Sequence, residues 1–243
     1  MEELTFHPGG HPGWKRAEEI SGHAYPAFMY HDPVANERFP LVYDLYPDWQ
    51  QLAMVGDRVI GFLNCVPLPW NPGDPLPDEG WDWAITTATE AIINDTETAC
   101  ALQVVVDPDL HGRGYSKLLV ARMREVAVGK GCVRLLAPVR PTRKWEFPRI
   151  PMADYASCVD GAGKPFDPWI RVHISLGAEI IGPCERAMTI TGTIAEWESW
   201  TGMRFPTTGS YEVPGALAPV EVEADADLVS YVEPNLWVVH DLV

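Results

Sequence analysis

The residues best suited to chemistry lie between positions 104 and 116, where an apolar run leads into a glycine-rich turn. The run is closed by Asp107-Pro108, and the turn then opens onto a helix-like stretch. Glycines let successive backbone N–H groups point at one spot, and a helix N-terminus adds the positive end of its dipole. The spacing therefore predicts a site for a phosphate-bearing ligand. The candidate residues are Val104, Val105, Val106, His111, Gly112, Arg113, Gly114, Tyr115 and Ser116.

Two familiar phosphate-binding loops are excluded by the residues around these glycines. No Gly-Lys-Ser or Gly-Lys-Thr follows, as a Walker A loop requires, and no third glycine completes a dinucleotide-binding turn. A Gly-x-Gly pair alone is also typical of an ordinary loop between a strand and a helix. The chain has no Gly-x-Ser-x-Gly elbow and no His or Cys pair at metal-ligand spacing, so neither a serine hydrolase nor a metal site is predicted.

The glycine-rich turn is expected to lie between two parallel strands. Two apolar runs flank Gly56-Asp57, which predicts a hairpin over residues 51–66. Residues 99–106 then form the strand before the turn, residues 115–128 the helix after it, and residues 133–139 the next strand. A strand–helix–strand crossover makes its two strands parallel.

The other segments are rich in proline and more irregular. The first 50 residues are predicted to form short helices broken by Pro33, Pro40 and Pro47, and residues 67–82 and 140–164 to form long loops. Further elements are predicted as a helix over 83–94, a helix over 169–176 capped by Asp167-Pro168, strands over 178–181, 187–193 and 229–240, and a turn-rich insertion over 201–219.

Composition narrows the class of protein. The chain has 243 residues, with 34 acidic against 18 basic side chains and a formal charge of −16. This length suits one elaborated domain, and the charge opposes binding to nucleic acid or to an anionic membrane while suiting a cationic amine substrate. Five scattered cysteines, the absence of a signal-like N-terminus and the lack of an apolar run of about 18 residues predict a cytoplasmic protein without a membrane span.

The segment from Leu110 to Ser116 resembles the signature Gln/Arg-x-x-Gly-x-Gly/Ala of the GNAT acyltransferase superfamily. It departs from that signature at His111, where Gln or Arg is usual, and at Ser116, where Gly or Ala is usual. The resemblance implies that the turn amides hold the pyrophosphate of acetyl-CoA or another acyl-CoA. It also implies an α/β fold: a mixed central sheet with splayed parallel strands around the cofactor, flanking helices and long loops on the substrate side.

The helix after Asp167-Pro168 resembles the fourth helix of the same superfamily, usually Asn-x-x-Ala-x-x-x-Tyr-x-x-x-Gly-Phe. Counted back from Gly177, His173 occupies the place of the tyrosine that protonates the departing thiolate. An imidazole with a pKa near neutrality can do the same and also exchange between acid and base. The pattern is also similar to GNAT-like loading domains, where a helix histidine is linked to decarboxylation and transfer to a carrier-protein thiol. A histidine that only satisfies a neighbouring carbonyl is the alternative.

Candidates for the acceptor pocket come from the proline-rich loop and the first 50 residues. Trp70, Trp81 and Trp83 offer aromatic walls, and anchoring of the loop to the core explains each of them equally well. His31, beside Asp32, is a candidate general base, with simple surface exposure as the alternative. Three acidic residues are candidates to bind a cationic amine, with simple solvation as the alternative: Asp78, Glu79 and Asp82.

These patterns together predict one GNAT-type domain over residues 1–243, with parts at 1–50, 51–139 and 140–243. The implied function is transfer of an acetyl or other short acyl group from coenzyme A to the amine of a small molecule, without a metal. Two alternatives stay open: an S-acyltransferase or decarboxylase that works with an acyl carrier protein, and a non-catalytic acyl-CoA-binding protein. The family resemblance also leaves a homodimer open.

Overall fold

The computed structural model describes residues 3–243, which form a mixed sheet with helices against it. The strands are β1 (Leu4–Pro8), β2 (Gln51–Val55), β3 (Arg58–Pro67), β4 (Thr98–Val106), β5 (Arg134–Val139), β6 (Glu179–Gly192), β7 (Gly209–Tyr211), β8 (Val220–Glu223) and β9 (Leu228–Asp241). The helices are α1 (Trp14–Ser21), α2 (Pro33–Leu45), α3 (Gly80–Glu90), α4 (Tyr115–Gly129), α5 (Met152–Ala156), α6 (Pro168–Ser175) and α7 (Ile194–Thr201). None of the helices in this part of the chain combines the length and apolar character that a membrane crossing requires.

The sheet runs in the order β1-β2-β3-β4-β5-β9-β8-β7, with β6 paired to the other edge of β9. Only β4 and β5 are parallel, and all the other described pairs are antiparallel. The parallel pairing covers three residue pairs, Thr98–Cys100 with Arg134–Leu136. Beyond Cys100 the two strands no longer pair, so the expected α/β fold with splayed parallel strands is confirmed.

A bulge interrupts β4 at the level where the two parallel strands separate. On the β3 side, Cys65 pairs with Ala101 and Asn64 with Gln103, which leaves Leu102 as the extra residue. A bulge bends its strand and redirects the neighbouring backbone groups. The polar groups of β4 are therefore rearranged where the gap between β4 and β5 begins.

The closing strands differ from the prediction in one respect. The sequence predicts separate strands over 178–181 and 187–193, whereas β6 runs unbroken from Glu179 to Gly192. Its pairing with β9 shifts register between Ile180 and Gly182 and again between Cys184 and Met188, so irregularities in one long strand take the place of the predicted break. The final strand, β9, agrees with the predicted 229–240 to within a residue at each end.

The prediction that the first 50 residues form only helices is wrong, because this segment also contains the strand β1, which pairs with β2. The prediction that Pro40 breaks a helix is also wrong, since α2 continues through it. Pro40 is exposed, so its ring lies in solvent and the helix loses only one backbone hydrogen bond. Pro33 occupies the first turn of α2, where a proline costs no hydrogen bond, and Asp32 caps the helix.

Helix α3 begins three residues before the predicted 83 and ends four residues before the predicted 94. Gly80 has a left-handed φ of +36° and stands against β6, where a Cβ would lie 2.8 Å from the Ala187 side chain and 2.9 Å from Cys184 Sγ. A side chain at position 80 would therefore force the helix away from the strand. This close contact fixes the first turn of α3 against β6.

Candidate functional site

The glycine-rich turn leaves a set of backbone amides open at the end of β4. Gly112 and Gly114 have left-handed φ values of +76° and +83°, and a Cβ at either position would meet no atom within 4 Å. Helix α4 starts directly after Gly114 without a side-chain cap. Within the described chain, the N–H groups of residues 112–116 donate to no protein acceptor. Unpaired amides at a helix N-terminus form a binding site for an anion.

The side chains around this turn have separate roles. His111 is exposed, and its Nε2 lies 3.1 Å from the Val106 carbonyl oxygen, which holds the turn against the end of β4. Val105 is buried in the cluster beneath α1, while Val104 and Val106 are half-buried. The predicted cofactor residues of the strand and turn therefore share one end of β4. Arg113 is exposed, and Tyr115 and Ser116 are half-buried in the first turn of α4.

The gap between β4 and β5 fits the extended arm of an acyl-CoA. The two strands present edges to each other that no longer pair after Cys100 and Leu136. Backbone groups along such edges need partners, and an amide-containing arm can supply them. The open turn lies at the end of β4 toward which the gap widens. The arrangement therefore fits a pyrophosphate on the turn and the attached arm along the strands.

The three predicted tryptophans lie in different surroundings. Trp81 donates its indole N–H to the Leu102 carbonyl of the β4 bulge at 2.9 Å and stacks on Phe39. Trp70 donates to the Asp74 carbonyl at 3.1 Å and anchors its own loop. Trp83 packs edge-on against Trp237, with ring centroids 6.1 Å apart. Of these three, Trp81 is the one that contacts the bulge.

The predicted catalytic residue, His173, is buried on α6 with 2% of its surface exposed. Its Nδ1 lies 3.0 Å from Nε2 of His240 on β9, and the Trp169 ring packs edge-on at 4.6 Å. Burial and the neighbouring imidazole lower the pKa of His173 to about 3, and burial lowers that of His240 to about 4. The expectation of a pKa near neutrality is therefore wrong, because burial disfavours the charged ring.

His240 is a residue that sequence reasoning missed, since nothing in its spacing from His173 links the two. The Nδ1–Nε2 contact holds one proton, donated by whichever ring carries it. Within residues 3–243, His173 Nε2 and His240 Nδ1 have no hydrogen-bond partner. A neutral pair of this kind can pass a proton along its shared hydrogen bond, so His173 Nε2 can serve as a donor or as an acceptor.

His31 and Asp32 point in opposite directions. His31 is exposed and stacks on Trp200, with ring centroids 4.0 Å apart. Asp32 is fully buried, and its Oδ1 accepts the Ala35 N–H at 2.6 Å as the cap of α2. Burial raises the pKa of Asp32 to about 6, although the backbone N–H groups of the cap oppose the rise. The sequence analysis favoured His31 as the candidate base, but of these two residues it is Asp32 that is buried.

The three acidic residues around the start of α3 differ in their exposure to solvent. Asp78 and Glu79 are exposed, and Glu79 pairs with Arg186 at 3.3 Å. Asp82 lies in the first turn of α3, and its Oδ1 is buried without a hydrogen-bond partner in the described chain. Burial and the nearby Asp32 raise the pKa of Asp82 to about 8. Asp82 is therefore not part of a solvated run.

A second group missed from sequence is the buried network around Glu233 of β9. Arg140, which follows β5, donates its Nε–H to the two Glu233 carboxylate oxygens at 2.9 and 3.1 Å. Tyr231 and Asn235 donate to the same carboxylate at 2.9 and 3.0 Å. A glutamate in the middle of a mostly apolar predicted strand was the signal in the sequence.

Comparison with known proteins agrees with this geometry. The family model described as the acetyltransferase (GNAT) family matches residues 14–145, more than half of the chain. An arginine N-acetyltransferase of Aspergillus versicolor, avaD, is 29% identical over 248 aligned residues, covering 90% of this chain and 85% of that protein.

Two solved structures share the fold at low sequence identity. The loading GNAT-like domain of CurA from Lyngbya majuscula has a TM-score of 0.66 at 15% identity and covers 99% of this chain and 98% of that one. The GphF GNAT-like decarboxylase, solved with isobutyryl-CoA, has a TM-score of 0.63 at 12% identity, with 98% and 100% covered. Family match, sheet topology and open turn agree, and the chain belongs to the GNAT acetyltransferase family and is an acyltransferase.

Proposed function

We propose that this chain transfers an acetyl or other short acyl group from an acyl-CoA to a nitrogen of a small cationic acceptor of the arginine type. The observation that carries the proposal is the uncapped turn at residues 112–116, at the end of a strand whose pairing with its parallel neighbour stops halfway. An anion site followed by an unpaired strand edge matches a ligand with a pyrophosphate and a long amide arm.

The acceptor class is supported by two independent observations. The avaD relative is named as an arginine N-acetyltransferase, and similarity to it extends over 90% of this chain. Next to Trp81 in the first turn of α3, Asp82 has a buried Oδ1, and Asp32, the cap of α2, is fully buried. Buried carboxylates favour a cationic partner, because burial leaves them without the stabilisation of water.

In the proposed reaction the acceptor nitrogen attacks the thioester carbonyl, and the thiolate of coenzyme A leaves. The nitrogen gives up one proton and the thiolate takes one up, so the residues at the gap need to move a single proton. His173 is the proposed carrier of that proton: its unprotonated Nε2 takes up the proton that the nitrogen releases and delivers it to the thiolate, while Nδ1 donates its hydrogen bond to His240 Nε2. The imidazole is neutral again once the thiolate has taken the proton, so the ring ends the cycle as it began.

A second candidate function follows from the same histidine. A buried imidazole pair in place of a tyrosine favours chemistry beyond amine acylation, such as decarboxylation of a malonyl group or transfer to a carrier-protein thiol. The third candidate, acyl-CoA binding without turnover, requires that no acceptor is acylated.

Mass spectrometry after incubation with acetyl-CoA or malonyl-CoA separates the three candidates. Coenzyme A release that requires arginine, agmatine or another cationic amine is the expected result. Release of carbon dioxide from malonyl-CoA, or acyl transfer to a phosphopantetheinyl carrier protein without amine acylation, would replace the proposal with the second candidate. Tight acyl-CoA binding with no turnover for any acceptor would leave the third.

A further inference from the structure

A short segment before α2 connects the two sides of the gap between β4 and β5. The Tyr25 hydroxyl accepts a hydrogen bond at 3.4 Å from Nε2 of Gln103, which lies on β4 three residues beyond the last residue that pairs with β5. The next residue of the segment, Pro26, contacts Gly215 so closely that a Cβ at Gly215 would overlap the proline ring. The Gly215 carbonyl accepts a hydrogen bond from Arg140, which directly follows β5. These contacts therefore join Tyr25 on the β4 side to Arg140 on the β5 side.

The guanidinium group of Arg140 is only partly occupied by protein partners. Its Nε–H lies 2.9 and 3.1 Å from the two carboxylate oxygens of Glu233, and Nη2 donates to the Gly215 carbonyl at 2.7 Å. Nη1 has no hydrogen-bond partner among residues 3–243, and it is not one of the side-chain atoms that are sealed from solvent there. The side chain is 19% exposed. One nitrogen of a fixed cation therefore remains available to an acceptor group.

Tyr25 provides a second hydrogen-bond donor. Its oxygen accepts from Gln103, and its hydroxyl hydrogen has no acceptor in the described chain. Burial raises the pKa of Tyr25 against the opposing effects of Gln103 and Arg140, so the phenol keeps its proton at neutral pH. The Tyr30 hydroxyl accepts the Tyr25 N–H at 3.1 Å and donates to the Ser21 carbonyl at 2.6 Å, which holds the backbone in place. The half-buried Tyr25 thus presents a fixed O–H group.

Glu233 holds Arg140 without using all of its donors. Tyr231 and Asn235 donate to the same carboxylate at 2.9 and 3.0 Å, so three side chains share its negative charge. The ring of Phe28 packs edge-on against Tyr231, with ring centroids 5.3 Å apart, which attaches the segment before α2 to β9 as well. A guanidinium has five N–H donors in a planar arrangement, so it can bind one carboxylate on one edge and a second on another.

The two available donors indicate the chemistry of the ligand. A cationic N–H group and a hydroxyl both require an acceptor, and a carboxylate supplies two acceptor oxygens together with a negative charge. The proposed reaction offers two sources of a carboxylate. One is the α-carboxylate of an amino-acid acceptor such as arginine, and the other is the free carboxylate of a dicarboxylic acyl-CoA such as malonyl-CoA.

We propose that Arg140 Nη1 and the Tyr25 hydroxyl bind a substrate carboxylate at the gap between β4 and β5, and so select substrates that carry one. The inference deepens the proposed function and rests on it for the acyl transfer itself. The binding would give both available donors an acceptor and leave the contacts of Glu233 intact.

Calorimetric titration of the wild type with two pairs of ligands tests the site and distinguishes the sources. Arginine is compared with agmatine, which lacks the α-carboxylate, and malonyl-CoA is compared with butyryl-CoA, which has an acyl chain of similar length without a carboxylate. In one of the two pairs, we expect the ligand with the carboxylate to bind at least about tenfold more tightly, as is usual for hydrogen bonds to a charged group. Neither comparison requires turnover.

Two variants remove the donors in different ways. Tyr25→Phe keeps the ring and removes the hydroxyl, and should reduce the carboxylate preference about fivefold. Replacing Arg140 alone would leave Glu233 as an unpaired buried charge, so the second variant combines Arg140→Gln with Glu233→Gln. This neutral pair should abolish the preference. Thermal unfolding shows whether each variant is folded.

The matched control is Tyr211→Phe, which removes the hydroxyl of another half-buried tyrosine. Tyr211 lies on β7, and its hydroxyl bonds to Thr207 within the same loop. The preference for the carboxylate in this variant should stay within about twofold of the wild type, the scatter expected when no ligand contact is lost. All the variants should bind coenzyme A as the wild type does, because the turn at residues 112–116 is untouched.

The outcomes separate the site from the reaction. A preference that is lost in the folded variants would support the site, and the ligand pair that shows it identifies the source of the carboxylate. No preference in either pair, or one that both folded variants retain, would overturn the assignment of Arg140 and Tyr25. A preference that depends on these residues, without acyl transfer by the wild type, would retain the site and reject the proposed function. Acyl transfer without any carboxylate preference would retain the transferase and reject the site.

Discussion

The proposed cofactor region and the proposed acceptor region are built in opposite ways. The turn at residues 112–116 is one continuous segment, and what it offers a ligand is backbone N–H groups. The proposed acceptor region takes Asp32, the cap of α2, and Asp82 of α3, and what it offers is side-chain carboxyl groups. A backbone site depends on glycine and a helix start, whereas a side-chain site depends on how distant elements pack.

This contrast predicts that substitutions in the two regions will change different kinetic constants. Changes in the turn should affect KM for the acyl-CoA, and changes at Asp32 or Asp82 should affect KM for the acceptor. His173 is the proposed proton carrier and the β4 bulge lies where the gap between β4 and β5 begins, so changes there should affect kcat. The four predictions below follow this division, from the largest expected effect to the smallest.

His173→Phe should lower kcat about 100-fold, the lower end of the usual contribution from a positioned proton donor. The KM values for both substrates should change little, because phenylalanine fills a similar buried space beside Trp169. Steady-state kinetics with saturating acyl-CoA measures the effect, and His23→Phe, at an exposed position, is the control. An unchanged kcat would remove His173 from proton transfer and leave it a packing residue.

Gly114→Val should raise KM for the acyl-CoA by about tenfold or more, since a β-branched residue strongly disfavours a φ of +83° and disturbs the turn amides. The space around a Cβ at this position is open, so strain and not a clash is the cause. Direct binding of coenzyme A provides the measurement. Equal affinities for variant and wild type would contradict an anion site at this turn.

Trp81→Phe and Trp70→Phe form a matched pair that compares the bulge with the loop. Each removes one indole hydrogen bond to a carbonyl, worth about 1 kcal/mol. Trp81→Phe should reduce kcat about fivefold, because the bond it removes holds the Leu102 carbonyl of the bulge. Trp70→Phe should lower thermal stability alone. Equal kcat values for the two variants would show that the bulge is positioned without Trp81.

Asp82→Asn should raise thermal stability in the absence of ligands, and more so at high pH. In the folded protein Asp82 keeps its proton up to a pKa of about 8, against an ordinary value of 3.8. The unfolded chain binds fewer protons between these values, so the wild type loses stability as pH rises through this window. Burial is the main cause of the raised pKa, and the charge of Asp32 adds to it. Asparagine does not titrate and escapes this loss.

Thermal melts at pH about 5 and about 8.5 measure this effect, with about 2–4 °C in Tm expected per kcal/mol for a chain of this size. A gain in Tm that grows with pH, together with weaker arginine binding, is the signature of a site that sacrifices stability for function. A variant less stable than the wild type at both pH values would show that Asp82 has a structural partner in solution.

Much of the fold was predictable because its elements carry local signals. The hairpin, the strand before the turn, α4 and the Asp167 cap of α6 all follow from turn residues, apolar runs and helix caps in the sequence. The failures occurred where tertiary contacts override such signals. β1 forms because β2 offers it an edge, and α2 continues through Pro40 because that proline lies on the solvent side.

The candidate site was predictable to different degrees in its two halves. The position of His173 followed from its register with Gly177, but its neutral state did not, because that state depends on His240 from the last strand. His31 was selected over Asp32, since sequence does not say which of two neighbours points inward. The division of the chain into three parts and the role of the turn residues stay predictions.

The sequence by itself determined the backbone chemistry: an apolar strand, two glycines with left-handed φ values and an uncapped helix, all within one short segment. Tertiary structure alone decided the side-chain chemistry, by burying His173 against His240 and by burying Asp32 at the start of α2. The physical reason is that turn geometry depends on neighbours along the chain, while burial and charge coupling depend on neighbours in space.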